Sequence, residues 1–283
     1  MPVSHSVDGL SAGGDGDDAD ANADRSDDRD ANAAAADRGD AEGEGLPINE
    51  LFYSVQGEGT LAGTPSVFVR TSGCNLRCWF CDSAHTSWEP THAWLDVDTI
   101  VDRVTDHDAA DHVVVTGGEP LIHDPVVRLL DRLRAAGYHT TVETNGTVYR
   151  DAAIDLASVS PKLASSTPTA DRSPTGDDDW AARHEDRRLD VDALAQLVET
   201  YPTQLKFVVT GRDDLPEITR LVDRLREAAD ATIDDADVLL MPEGATRERL
   251  AETREVTAEL AMEHGFRYTP RLHVDLWNDA PET

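Results

Sequence analysis

Three cysteines stand together as Cys74-Asn75-Leu76-Arg77-Cys78-Trp79-Phe80-Cys81, a C-x3-C-x2-C spacing led in by Gly73. Thiolates are the side chains that suit iron–sulfur clusters and zinc. A short loop opened by glycine can wrap three of them around one cubane, a 4Fe-4S cluster, and leave one iron without a protein ligand. A small molecule can then bind that iron directly and take an electron from the cluster. The competing chemistry is structural zinc with His85 as fourth ligand, C-x3-C-x2-C-x3-H. Zinc modules commonly pair C-x2-C elements with ligands further apart. Here all four would crowd one loop, so the cluster fits better. There is no other cysteine, which excludes a disulfide framework.

Other polar groups fall at predicted strand ends. Thr116-Gly117-Gly118-Glu119-Pro120 follows Val113-Val114-Val115. Its glycines allow a ligand close to the backbone, and Glu119 can accept a hydrogen bond from an ammonium group. Glu143-Thr144-Asn145-Gly146 ends the next strand and can reach a ribose, or simply form an Asx turn. Ser160-Pro161-Lys162 ends another. Lys162 and Lys206 are the only lysines, and both lie in or beside strands rather than on helix surfaces. Upstream, Val55-Gln56-Gly57-Glu58-Gly59 reads as a tight turn that exposes main chain and two polar side chains. Arg70, before the cysteine loop, can form a bidentate pair with a carboxylate. Ser83, just after it, can give an oxygen to a hard cation such as Mg2+.

The elements that must position these groups alternate. Strands are predicted at 67–70, 113–115, 140–142, 157–159, 205–209, 238–240 and 267–268. Asp96 caps a helix running to His107, and Asp124-Pro125 starts one that stops at Gly137. Further helices run from about Leu215 to Ala229 and from Thr246 to Gly265. Such alternation implies an α/β fold with a largely parallel sheet. Residues 1–45 hold almost no large apolar side chain and read as a disordered acidic tail, leaving 46–283 as one domain. Within it, 164–188 is rich in Ser, Thr, Pro, Asp and Arg without a period, and reads as a mobile surface insertion.

The chain has 283 residues, with 56 acidic against 25 basic and a net charge of −31. That excludes general affinity for nucleic acid or anionic membrane, both of which attract cationic surfaces. An acidic, lysine-poor surface suits concentrated salt, where the Debye length falls to about 3 Å. A GC-rich genome would explain the arginine but not the acid excess. No apolar run reaches the roughly 20 residues that span a bilayer, and the first residues lack the pattern of a secretory signal. The expected location is cytoplasmic.

Taken together, these motifs resemble the 7-carboxy-7-deazaguanine synthase family of radical S-adenosylmethionine (SAM) enzymes. The likeness runs from about Leu46 to Trp277. It is carried by the Gln56–Gly59 loop, Phe68-Val69-Arg70 with the cysteine loop, Cys81-Asp82-Ser83, Thr116–Pro120, Glu143–Thr147, Val159–Leu163 and the tail 270–277. The resemblance implies an open partial (βα) barrel and a homodimer. It implies a cluster-bound SAM cleaved to a 5′-deoxyadenosyl radical that takes hydrogen from C6 of 6-carboxy-5,6,7,8-tetrahydropterin. The ring then contracts with loss of ammonia, and SAM is regenerated. Carried over by position, Val55, Gln56, Gly57, Arg70 and Thr116 contact the pterin, with Arg70 on its carboxylate. Phe80, Cys81, Asp82, Gly118, Glu119, Ser160, Pro161 and Lys162 form the SAM site, and Ser83 holds Mg2+. A flavodoxin or ferredoxin would supply electrons, and the product would feed archaeosine or queuosine in tRNA. No ligand is carried over beyond the 164–188 stretch. A glycyl-radical-enzyme activating protein shares the cysteine and Gly-Gly-Glu-Pro motifs but has no need of the Gln-Gly-Glu-Gly loop.

Overall fold

The computed structural model describes residues 3–4, 45–173 and 180–280. The expected acidic tail therefore lies outside the described residues except for Val3, Ser4 and Gly45. The chain opens with β1 (Val3–Ser4) and β2 (Gly45–Val55), then β3 (Pro65–Thr71), α1 (Ala84–Ser87), β4 (Ala93–Asp96) and α2 (Val97–Thr105). Next come β5 (His112–Gly117), α3 (Pro125–Ala135), β6 (His139–Thr144), β7 (Leu156–Val159), α4 (Ala181–Arg187) and α5 (Val191–Thr200). The last elements are β8 (Thr203–Val209), α6 (Leu215–Ala228), β9 (Val238–Pro242), α7 (Arg247–His264), β10 (Arg267–Tyr268) and α8 (Leu272–Trp277).

One ten-stranded open sheet runs in the order β1-β2-β3-β5-β6-β7-β8-β9-β10, with β4 on β2. From β3 onward every neighbour is parallel, while β1, β3 and β4 meet β2 antiparallel. Each predicted strand is present. The helix ends fall where capping chemistry puts them: Asp96 accepts from Thr99 N and Thr246 from Arg249 N, and Gly265 closes α7 in the left-handed region.

Side chains on a strand point alternately to the two faces, and here the faces differ in kind. Val67, Val69, Val113, Val115, Val142, Val159, Leu205 and Phe207 are buried in one core. That core includes apolar stripes of the helices: Ile100 and Val104 of α2, Leu129 and Leu133 of α3, Leu194 and Leu197 of α5, Leu221 and Leu225 of α6. The alternate positions carry Ser66, Arg70, His112, Thr116, Thr141, Glu143, Ser158, Gln204 and Lys206. This second face is the concave interior of a partial barrel; it is mostly polar, with Phe52, Phe68 and Val114 forming a small apolar cluster among these groups. Both strand lysines of the sequence are explained at once by it, Lys206 pointing inward and Lys162 standing at the rim.

The deep layer of that interior holds buried side-chain hydrogen bonds. His112 is buried, with Nδ1 2.7 Å from Ser66 Oγ and Nε2 2.7 Å from Thr141 Oγ1, and Gln204 Nε2 donates to Ser158 Oγ at 2.8 Å. Burial, followed by the neighbouring His139, lowers the His112 pKa to about 4; burial likewise lowers His184 to about 4. The unfolded chain takes up these protons near the ordinary 6.5, the folded chain only near 4. Stability is therefore present above 6.5 and lost as pH falls toward 4, by about 2 kcal/mol per histidine near pH 5. Urea titrations across this window are expected to show that loss, with a shallower slope in His112→Asn. A variant as steep as the parent would remove His112 from the account.

Seven of the labelled elements were not anticipated: β1, β2, β4, α1, α4, α5 and α8. Strand β2 lacks alternation because most of it is buried on both faces, and it is broken by Pro47 and by a register shift between Ile48 and Glu50. In α5, Asp190 caps the helix and Leu194 and Leu197 bury its face. The stretch expected to be a mobile insertion contributes a 3-10 turn at Ala164–Ser166 and helix α4, whose His184 is fully buried; residues 174–179 lie outside the description. Helix α8 turns the chain back toward β2 at Gly57, whose carbonyl accepts from Leu272 N at 2.8 Å.

Candidate active site

The cysteine loop sits on the C-terminal ends of β3 and β5 because two glycines let it. A Cβ on Gly117 would meet Thr71 O at 2.0 Å, and one on Gly118 would meet Gly73 O at 2.1 Å. In their place Gly118 N donates to Thr71 O and Glu119 N to Gly73 O. What approaches the Gly-Gly backbone most closely is the cysteine loop itself. Asn145 Nδ2 donates to Asn75 Oδ1 at 2.9 Å, and Asn75 Nδ2 to Thr147 Oγ1 at 2.7 Å, tying the loop to the end of β6 as well.

Cys78 is buried and Cys74 and Cys81 are partly so. Burial pushes the Cys78 thiol up to about 12 and raises the other two. Such thiols become thiolates only when a metal's positive charge offsets the lost hydration. Among the described residues no three His, Cys, Asp or Glu side chains converge on a single ion. His85 also turns away from the zinc role: its Nε2 lies 3.8 Å from Glu50 Oε2.

Two cavities adjoin above the strand ends. The smaller, about 170 Å3, is bounded by the three cysteines, Phe80, Asp82, Gly118, Ser160 and Lys162. The larger, about 720 Å3, is bounded by Val55, Gln56, Gly57, Arg70 and Thr116 among others. Ser83, Asp82, Glu58, Glu143 and Arg271 border both. Lys162 Nζ donates to Ser160 O at 2.8 Å and Oγ at 2.7 Å and has no carboxylate partner among the described residues. It is the cation nearest the cluster side that remains for an incoming anion.

Two residues expected at the SAM site are not among those that border the cavities. Glu119 is fully buried and borders neither cavity. Its carboxylate accepts from Leu121 N at 3.0 Å, Thr144 Oγ1 at 2.8 Å and Asn145 N at 2.7 Å. These bonds brace the end of β5 against the end of β6; burial raises its pKa. Pro161 borders neither cavity and separates Ser160 from Lys162.

Between the cavities runs a buried ion network. Lys206 Nζ lies 2.6 Å from Glu58 Oε2 and 2.7 Å from Glu143 Oε2. Arg271 reaches Glu58 Oε1 at 3.0 Å, Gly244 O at 2.8 Å and the Asp82 carboxylate. Gln56 Nε2 donates to Glu143 Oε1 at 3.2 Å. Burial alone would raise Glu58, but Lys206 and Arg271 bring it down to about 2. Burial alone would lower Lys206, and Glu143 and Glu58 more than reverse that. Asp82, against Arg271, is also held below the ordinary carboxylate range despite its burial. Arg70 Nε meets Glu50 Oε2 at 2.6 Å and its Nη1 donates to Ser83 Oγ at 2.9 Å. Ser83 Oγ in turn lies 3.1 Å from Asp82 Oδ1.

Sequence reasoning did not assign Arg271, His273 or Glu50 to the site, and noted Lys206 without giving it a role. For Lys206 the scarcity of lysine was a usable signal. His273 packs so tightly on Gly57 that a Cβ there would lie 1.9 Å from its Nδ1; only the 270–277 motif hinted at it.

Comparison with known proteins agrees with this geometry. The Radical SAM superfamily model matches residues 68–165. A 7-carboxy-7-deazaguanine synthase of Halobacterium salinarum is 69% identical over 242 residues, covering 86% of this chain and 94% of the relative. Proteins of the same name from Rhodopirellula baltica and Pyrobaculum aerophilum are 46% and 34% identical, covering 81% and 82% of this chain and 85% and 94% of their own. The crystal structure of QueE from Escherichia coli shares the fold, with a TM-score of 0.55 at 23% identity, covering 81% of this chain and 95% of that one. With full-length relatives at this identity and a cysteine loop seated over a parallel open sheet, the chain belongs to the 7-carboxy-7-deazaguanine synthase family of radical SAM enzymes.

Proposed function

We propose that the chain converts 6-carboxy-5,6,7,8-tetrahydropterin to 7-carboxy-7-deazaguanine with loss of ammonia. The observation that carries this reading is the pair of adjoining cavities, one beside three cysteines and the other large enough for a bicyclic, carboxylated substrate. When bound, the cluster and SAM supply a one-electron cleavage that yields a carbon radical able to remove a hydrogen atom from the pterin. The chain's own residues do the rest. Gly118, Ser160 and Lys162 orient SAM, with Lys162 placed for its carboxylate. Glu143, Gln56 and Thr116 offer acceptors and donors to the pterin ring edges, and their mutual bonds pre-set those directions before substrate arrives. Arg70 is held by Glu50 and Ser83 within the larger cavity, where it meets the substrate carboxylate.

Mg2+ belongs to this reading. Ser83 Oγ and the Asp82 carboxylate supply oxygen donors of the kind it takes, at the border of the two cavities. A flavodoxin or ferredoxin as electron donor, a homodimer and a cytoplasmic location complete it. Among the described residues no helix is long and apolar enough to cross a membrane. The rival reading, activation of a glycyl-radical enzyme, is set aside because the relatives named above carry the synthase name along most of their length.

The direct test is anaerobic incubation of reconstituted protein with SAM, reductant and the carboxypterin, with and without Mg2+, followed by mass analysis. Formation of the deazaguanine acid is expected; intact substrate beside cleaved SAM would sink the assignment. Arg70→Ala is expected to raise KM for the pterin by roughly tenfold to a hundredfold, the worth of a charge-assisted hydrogen bond, while SAM cleavage without product persists. An unchanged KM would take Arg70 out of the pterin site.

A further inference from the structure

We infer that the segment after Ser160-Pro161-Lys162 is a clamp on the cysteine loop, with His184 as its positioning residue. The loop carries backbone N–H groups on either side of Cys78, and the segment takes up two of them. Arg77 N donates to His184 Nδ1 at 3.2 Å, and Trp79 N donates to Ser166 O at 3.2 Å. The Trp79 indole Nε1 donates to Ser165 O at 2.7 Å. The Arg77 guanidinium lies 4.4 Å over the Trp180 ring and donates back to Cys74 O at 2.7 Å and Leu76 O at 2.8 Å. Side chain and main chain of the residue just before Cys78 are thus both fixed from across the segment.

The hydrogen-bond chain through His184 has one consistent direction. Because Nδ1 accepts from Arg77, the ring proton sits on Nε2, which donates to Ser166 Oγ at 2.8 Å; Ser166 Oγ then donates to Leu163 O at 2.6 Å. His184 and Ser166 are both fully buried. A neutral imidazole with this tautomer is the only histidine form that completes the chain, and it leaves no polar atom of the set unpaired. Its structural consequence is that the C-x3-C turn is held in shape before any iron arrives. A chemical consequence follows as well. The potential of an iron–sulfur cluster rises with the number of N–H groups aimed at its sulfurs. Here the Arg77 and Trp79 N–H groups are already taken up by the clamp and would not be free to donate to the sulfurs of a bound cluster.

This inference rests on the cysteine loop holding a cluster, and its test separates the two. Iron and sulfide content would be measured after anaerobic reconstitution, followed by the rate of iron loss to a chelator, for the parent protein, His184→Leu and His184→Asn. Leucine keeps the apolar bulk and removes the acceptor; asparagine loses bulk but keeps an oxygen where Nδ1 stands. An unpaired buried N–H should speed iron loss roughly tenfold or more in His184→Leu, with His184→Asn closer to the parent. Should His184→Leu hold iron as the parent does, or His184→Asn lose it as fast as His184→Leu, the clamp is refuted and His184 is packing alone. If His184→Leu does not fold, Ser166→Ala carries the test: faster iron loss at an unchanged melting temperature supports the clamp, and unchanged iron loss overturns it. A parent protein that takes up no iron would instead refute the cluster.

Discussion

Cys78→Ala is expected to reconstitute without the brown iron–sulfur absorbance and to form no 5′-deoxyadenosine, at any concentration of SAM or reductant. Cys78 is the most buried of the three ligands, and its carbonyl is fixed by Trp88 Nε1 at 3.0 Å. The loop around it is set by its hydrogen bonds to the segment after Lys162, so alanine should leave the apo fold intact. What disappears is one of three thiolates. With two remaining, a cubane would have half its irons unligated by protein, and catalysis should fall below detection rather than by a graded factor. Far-ultraviolet circular dichroism and a thermal melt provide the control. Retained SAM cleavage in a folded variant would end the cluster assignment for these cysteines.

Lys206→Met should have the largest effect on stability. Methionine fills the space of the side chain but leaves Glu143 without a cation and Glu58 with Arg271 alone, in a site where their oxygens lie 2.7 and 2.6 Å from the ammonium and Lys206 is 3% exposed. Removing one member of a buried ion set leaves uncompensated charge and costs about 3–5 kcal/mol. The pH dependence contributed by Glu58 should also weaken. In the parent, Glu58 is held at about 2, below its ordinary 4.5, so its stabilisation is present above 4.5 and is lost as pH falls toward 2. Without the lysine, Glu58 keeps Arg271 but its burial is less fully offset, so its pKa should rise back toward the ordinary value. The variant should therefore gain stability relative to the parent as pH drops below the carboxylate range. Adding Glu143→Gln to Lys206→Met should recover part of the loss. A penalty under about 1 kcal/mol, typical of a surface pair, would show that the network is solvated and not a structural element of the site.

Much of this architecture could be read from the chain alone, for definable reasons. The parallel strands announce themselves because apolar residues on one face pack against helices, and the runs at 113–115 and 205–209 are hard to mistake. The cysteine loop and the Gly-Gly turn are local, so spacing carries them. What escaped depends on non-local partners. Strand β2 is covered on both faces and bulged at Asn49, which erases the alternation that marks a strand. The three donors around Glu119 could not be read from its motif, since two of them lie on β6 and the turn that follows it. His184 sits in a stretch without periodicity, and nothing in its neighbours announces that its ring faces Arg77, 107 residues earlier. Arg271 meets Glu58 across 213 residues of chain, a pairing that no window of sequence displays.

That last pairing bears on how the protein comes into being. Glu58 leaves the ribosome early and must wait, within reach of water, until Arg271 has been made. Through most of synthesis the mouth above the cysteines lacks the wall that α8 supplies through Leu272 N on Gly57 O. The order of translation thus leaves the closing of that mouth to residues made long after the cysteines.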